Sequence, residues 1–136
     1  MCLILFAYKV APGVPLVMTA NRDEWFSRPA TPAAFWADHP HVLAGRDLQA
    51  GGTWLGLSTT GRFAALTNYR DPNNRRADAP SRGALASDFL TGVLSARDFI
   101  NGLVGRAAPY NGFCMLAGDP QGMFFFSNRG GGIKEI

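Results

Sequence analysis

Cysteine and histidine are scarce in this chain, with two of each in 136 residues. Cys2 and Cys114 both sit in apolar, strand-like runs, and nothing resembles the disulfide framework that staples small secreted domains. The N-terminus lacks a charged segment followed by a long apolar stretch and a small-residue cleavage site, so no secretory signal is expected. No apolar run reaches the length of a membrane span. Charged residues make up only 17% of the chain, and the net charge is +3. So mild a positive balance does not argue for a nucleic-acid partner. His39 and His41 stand two apart, with no carboxylate or thiol at ligand spacing nearby in sequence. They read as a solvated loop, and no metal site is expected. These absences lead to the expectation of a soluble cytoplasmic protein.

Glycine and proline, by contrast, are abundant, at 16 and 9 residues, so many loops and turns are expected. A chain of this length reads as one domain over residues 1–136, with a usable core. The densest chemical stretch is Asn21-Arg22-Asp23-Glu24. It places a carboxamide, a guanidinium and two carboxylates at the end of the apolar run from Leu16 to Met18. Residues 2–10 are apolar on both parities, broken only by Lys9, which suits a strand buried on both faces. Ala11-Pro12-Gly13 is a turn signal, and residues 15–21 form a second apolar run. Paired as a hairpin, the two runs bring Cys2 beside residues 21–24.

Residues 26–42, with prolines at 29, 32 and 40, read as irregular, with Phe35 and Trp36 covering the hairpin. Residues 42–45 suggest a short strand. Residues 53–58 and 62–69 read as a hairpin around Thr59-Thr60-Gly61. Alternation puts Arg62, Ala64, Leu66 and Asn68 on one face and Phe63, Ala65, Thr67 and Tyr69 on the other. An amide at Asn68 is able to donate to a developing oxyanion, or it initiates the loop that follows. Residues 70–82 form a polar loop whose Arg70, Arg75, Arg76 and Arg82 suit either solvation or an anionic ligand group. Helical spacing predicts helices over 83–93 and 96–106. Leu85, Phe89, Leu90 and Val93 are the buried stripe of the first, and Phe99, Ile100, Leu103 and Val104 that of the second. Ser95-Ala96-Arg97-Asp98 reads as the cap of the second. Strands over 113–118 and 123–127, and the start of another at 133, complete the pattern. The fold class is α+β: antiparallel sheet covered by a helical layer.

Six motifs in order carry a resemblance. They are Met1-Cys2-Leu3-Ile4, the segment Ala20-Asn21-Arg22-Asp23-Glu24-Trp25-Phe26-Ser27-Arg28-Pro29, Gly51-Gly52-Thr53-Trp54-Leu55-Gly56, Ala65-Leu66-Thr67-Asn68-Tyr69, Tyr110-Asn111-Gly112-Phe113, and Asn128-Arg129-Gly130. Together they resemble the NRDE family, the family of the transport and Golgi organisation protein 2. That family is in turn similar to the N-terminal-nucleophile hydrolases, which form an αββα sandwich. The resemblance therefore implies the first part of such a sandwich. Family chains continue into further helices and closing strands, so an unfinished sheet edge or core face is expected here.

The resemblance also implies roles. Once Met1 is removed, Cys2 carries a free α-amine that activates its own thiol. Arg22 would hold the thiolate, Asp23 or Glu24 would orient the amine, and Asn68 would donate to an oxyanion. Asn21, Glu24, Arg70 and Asn111 complete a candidate binding set for a small-molecule ligand or substrate. The relatives among the hydrolases carry an Arg-Asn-x-Asp order where this chain has Asn-Arg-Asp-Glu, so Asp23 and Glu24 both stay open. Two functions follow: an amidohydrolase or acyltransferase working through Cys2 without a cofactor, or a non-enzymatic haem or lipid/acyl-CoA carrier. No Cys-Pro thiolate motif supports haem, and the sequence sets no oligomeric state.

Overall fold

The computed structural model describes residues 2–136. Strands β1 (Leu3–Ala11) and β2 (Val14–Asn21) form an antiparallel hairpin with Leu3 opposite Asn21 and Tyr8 opposite Leu16. Gly13 closes the turn at φ 75°, a conformation that glycine takes without a Cβ penalty. A second sheet holds seven strands in the spatial order of the chain: β3 (Ala30–Phe35), β4 (Val42–Asp47), β5 (Leu55–Ser58), β6 (Phe63–Asn68), β7 (Phe113–Gly118), β8 (Met123–Ser127) and β9 (Ile133–Glu135). Every neighbouring pair is antiparallel. Helices α1 (Gly83–Thr91) and α2 (Ala96–Arg106) interrupt the meander between β6 and β7.

The two faces of the large sheet carry different layers, as the alternation along β6 requires. Ala64 and Leu66 join Leu85, Phe89, Ile100 and Leu103 beneath the helices. Phe63 and Ala65 face the other way with Leu116 and Met123, and there they meet Ile4, Tyr8, Leu16 and Met18 of the hairpin. The α+β class and the helical layer are as the sequence implied.

Several local expectations are corrected. Residues 30–35 are not irregular: they form edge strand β3, whose register shifts between Thr31 and Ala34 around Pro32. Proline lacks an N–H for a ladder, and a bulge on an edge strand is where it is tolerated. Trp36 does not cover the hairpin; it is buried on the helical face and donates from Nε1 to Ala44 O at 3.1 Å. Phe35, one residue earlier, is exposed. The hairpin is not buried on both faces. Its inner residues touch the large sheet, whereas Leu3, Leu5 and Val17 on the other face lie open to solvent. The strand expected from residue 53 begins at Leu55. Val93 is 95% and Val104 54% exposed, because α1 ends at Thr91 and the α2 stripe turns away after Leu103.

Three contacts fix the helices. Ser95 Oγ accepts from Asp98 N at 3.0 Å, and its hydroxyl reaches the Asp98 carboxylate at 2.7 Å, which caps α2. Asp119, in the β7–β8 turn, adds an acceptor for Ala96 N at 2.6 Å. At the far end of α1, Arg62 donates from Nη2 to Phe89 O at 2.6 Å and lies 4.1 Å over the Phe89 ring. A cation there also suits the negative end of the helix.

Candidate functional site

The open end of the hairpin, the bend after it, the β4–β5 connection and the 70–82 loop together enclose a cleft of about 520 Å³. A depression of similar volume runs along the hairpin turn, but Lys9 is its only charged lining residue. The cleft is the more polar of the two. Cys2, Arg22, Asp23, Glu24, Asn68 and Asn111 all line it, so residues spread over more than a hundred positions meet in one place.

The hairpin register explains the first group. With Leu3 opposite Asn21, the residues just outside the ladder are Cys2 on one strand and Arg22 and Asp23 on the other. Cys2 Sγ accepts the Asp23 backbone N–H at 3.3 Å. The Asp23 carboxylate takes Arg70 Nη2 at 3.2 Å. Arg22 Nη2 pairs with Glu24 Oε2 at 3.4 Å. Arg70 thus reaches the site through Asp23, and Asn21 sits in the ladder opposite Leu3, outside the cleft wall.

Asn68 closes β6, opposite Phe113 on β7. Asn111 has a different task from the others. Its Oδ1 accepts Arg76 N at 2.8 Å and its Nδ2 donates to Arg76 O at 2.8 Å. This two-bond clamp holds the 70–82 loop against the site.

Three further lining residues, Arg28, Arg46 and Asp47, carried no signal of their own in the sequence, and only Arg28 lies within one of the motifs. Arg28 meets Asp47 at 2.7 Å through Nη2 and at 2.8 Å through Nε, and its Nε lies 3.8 Å from Glu24. Burial works against the Asp47 charge, but the Arg28 hydrogen bond and the backbone N–H groups of Ala50 and Gln49 outweigh it and hold the carboxyl low. Arg46 pairs with Asp38 at 2.8 Å and lies 4.4 Å over the Trp36 ring. Only a signal for long-range pairing would have joined positions 28 and 47.

His39 and His41 stand 6.0 Å apart, ring to ring, and do not line the cleft. Among the described residues no group of three His, Cys, Asp or Glu side chains could hold a metal ion. Cys2 and Cys114 are both free thiols. Among the described residues no helix is long and apolar enough to cross a membrane.

Comparison with known proteins adds the relationship. The profile of the family described as Transport and Golgi organisation 2 matches residues 1–136. The chain is 38% identical to the Transport and Golgi organization protein 2 homolog of Bos taurus, over 96% of this chain and 51% of that protein. Identity to the Homo sapiens homolog is 37% over the same shares. The Transport and Golgi organization protein 2 of Drosophila melanogaster is 36% identical over 74% of this chain and 38% of its own length. The chain thus spans about half the length, or less, of these relatives. A profile match along its whole length, with 38% identity over 96% of the chain to a member, places this chain in the Transport and Golgi organisation 2 family.

Proposed function

We propose that the cleft works as a thiol-nucleophile site on a C–N amide bond, with Cys2 as the attacking residue. The observation that carries this reading is the 3.3 Å hydrogen bond from Asp23 N to Cys2 Sγ. This contact holds the sulfur at the cleft lining, and a cysteine attacks as its thiolate. Removal of Met1 would give Cys2 its own α-amine, which titrates near pH 8, close to a free thiol at about 8.5. The amine takes the thiol proton, and sulfur bonds to the carbonyl carbon. The C–N bond breaks, and the amine product leaves with that proton. Water then cleaves the thioester, giving a carboxylic acid and the free thiol. The Asp23 carboxylate orients the α-amine, and Asn68 serves as an oxyanion donor.

A second reading, a carrier of haem or of a lipid or acyl-CoA ligand, draws support from the Arg22–Glu24 pair. A guanidinium engaged by a carboxylate is less available to a thiolate. The names of the relatives speak of transport, which suits a cytoplasmic carrier on this fold.

Intact mass and alkylation separate the two. On the enzyme reading Met1 is absent, and Cys2 reacts with iodoacetamide at lower pH than Cys114. Retained Met1 with equal, slow labelling of both cysteines would overturn it and leave the carrier.

A further inference from the structure

Five arginines line the cleft, Arg22, Arg28, Arg46, Arg75 and Arg82, against three carboxylates, Asp23, Glu24 and Asp47. Three of the cations are matched. Arg22 has Glu24 at 3.4 Å, Arg28 has Asp47 at 2.7 Å, and Arg46 has Asp38 at 2.8 Å from outside the cleft. The third carboxylate, Asp23, is engaged by Arg70 at 3.2 Å. Arg75 and Arg82 remain, and among the described residues no carboxylate comes within 4.0 Å of either.

Both belong to the lining of the cleft. The Arg82 guanidinium is half-buried, and its Nη1 donates to Gly112 O at 2.8 Å. That bond uses one of five N–H donors and leaves a planar fork for another acceptor. Arg75 stands next to Arg76, whose backbone the Asn111 side chain clamps from both sides. Burial, and then the charge of Arg75, push the Arg82 pKa down. Two like charges lining one cleft, one of them half out of water, are relieved by a bound anion. The first turn of α1 starts at Gly83, directly after Arg82, and adds the positive end of a helix to the same place.

We propose that Arg75 and Arg82 form the anion subsite of the cleft and hold the carboxylate or phosphate group of its ligand. Placing that ligand's acyl carbon at Cys2 rests on the nucleophile reading; the anion subsite does not. On both readings the cleft selects ligands with one strongly anionic end.

The test is calorimetric titration of the full chain at low ionic strength with inorganic phosphate, pyrophosphate and succinate. Saturable one-to-one binding of at least one of them is expected, weakening with salt. Arg75→Gln, at an exposed loop position that leaves folding intact, should weaken it by about tenfold or more, the scale of a charge-assisted hydrogen bond. Arg97→Gln, which removes an exposed arginine paired with Glu135, should not change it. Preference for succinate or for the phosphates tells which oxyanion the subsite takes. No saturable binding of any of the three, or equal binding by the Arg75→Gln and parent chains, would overturn the proposal. Cys2→Ser should keep the binding. An inert Cys2 with anion binding intact would therefore sink the nucleophile alone, and a reactive Cys2 without anion binding would sink the subsite alone.

Discussion

The backbone N–H of Asp23 points at Cys2 Sγ across 3.3 Å, so the start of one strand and the exit of its partner share a hydrogen bond just beyond the ladder. The Asp23 carboxylate accepts from Arg70 Nη2 at 3.2 Å. One residue thus serves the thiol through its backbone and a charge through its side chain.

Substituting Arg22 tests the electrostatics around that thiol. Arg22→Ala removes the partner of Glu24 and leaves a net negative change near Cys2. The pH profile of iodoacetamide labelling at Cys2, followed by peptide mass, should move upward. Stability should change by less than about 1 kcal/mol, because the ion pair is partly solvated. An unchanged profile would show that Arg22 does not act on the sulfur.

The helical layer offers a sharp contrast. Phe99 is buried and its ring stands 5.1 Å from that of Phe89. Phe99→Ala should cost about 3–5 kcal/mol in denaturant unfolding. Val93→Ala and Val104→Ala, at exposed positions, should stay within about 0.5 kcal/mol.

Acid should destabilise the chain through two carboxylates. Burial disfavours the Asp119 charge, but the N–H groups of Ala96, Gln121 and Gly122 outweigh it and keep the carboxyl below its ordinary range. Asp47 is held low in the same manner. A depressed folded value means that the unfolded chain binds more protons in the window just beneath the ordinary carboxylate value of about 3.9. The stabilisation is therefore complete above that value and is lost as pH falls through the folded one. Asp119→Ala should flatten this acid limb and cost about 1–3 kcal/mol at neutral pH, since it leaves backbone donors without their acceptor.

Gly52 sets the approach of the β4–β5 connection to α1. A Cβ there would collide with the backbone of Gly83 and Ala84, where Thr53 N donates to Gly83 O at 3.3 Å. Gly52→Ala should cost about 1–3 kcal/mol. It should also weaken anion binding, because the displaced backbone carries Arg82. Wild-type melting together with wild-type binding would show that this contact yields without consequence.

Much of this was legible in the chain because it rests on local rules. Period-two alternation fixed which face of β6 each residue takes. Pro12-Gly13 fixed the hairpin and, with it, the meeting of Cys2 and Asp23. Ser95 and Asp98 announced the start of α2. Strand β3 escaped because prolines at 29 and 32 argue against a ladder, and only its position at the sheet edge, with a bulge at Pro32, makes them harmless. The hairpin's apolar run was over-read as doubly buried, since composition records hydrophobicity but not how many layers are present to cover it. The cleft's charge balance belonged to the tertiary structure alone. Whether an arginine meets a carboxylate depends on which loops the sheet brings within a few ångströms. That pairing satisfied Arg28 through Asp47, nineteen residues away, and left Arg75 and Arg82 in the cleft lining with no carboxylate partner among the described residues.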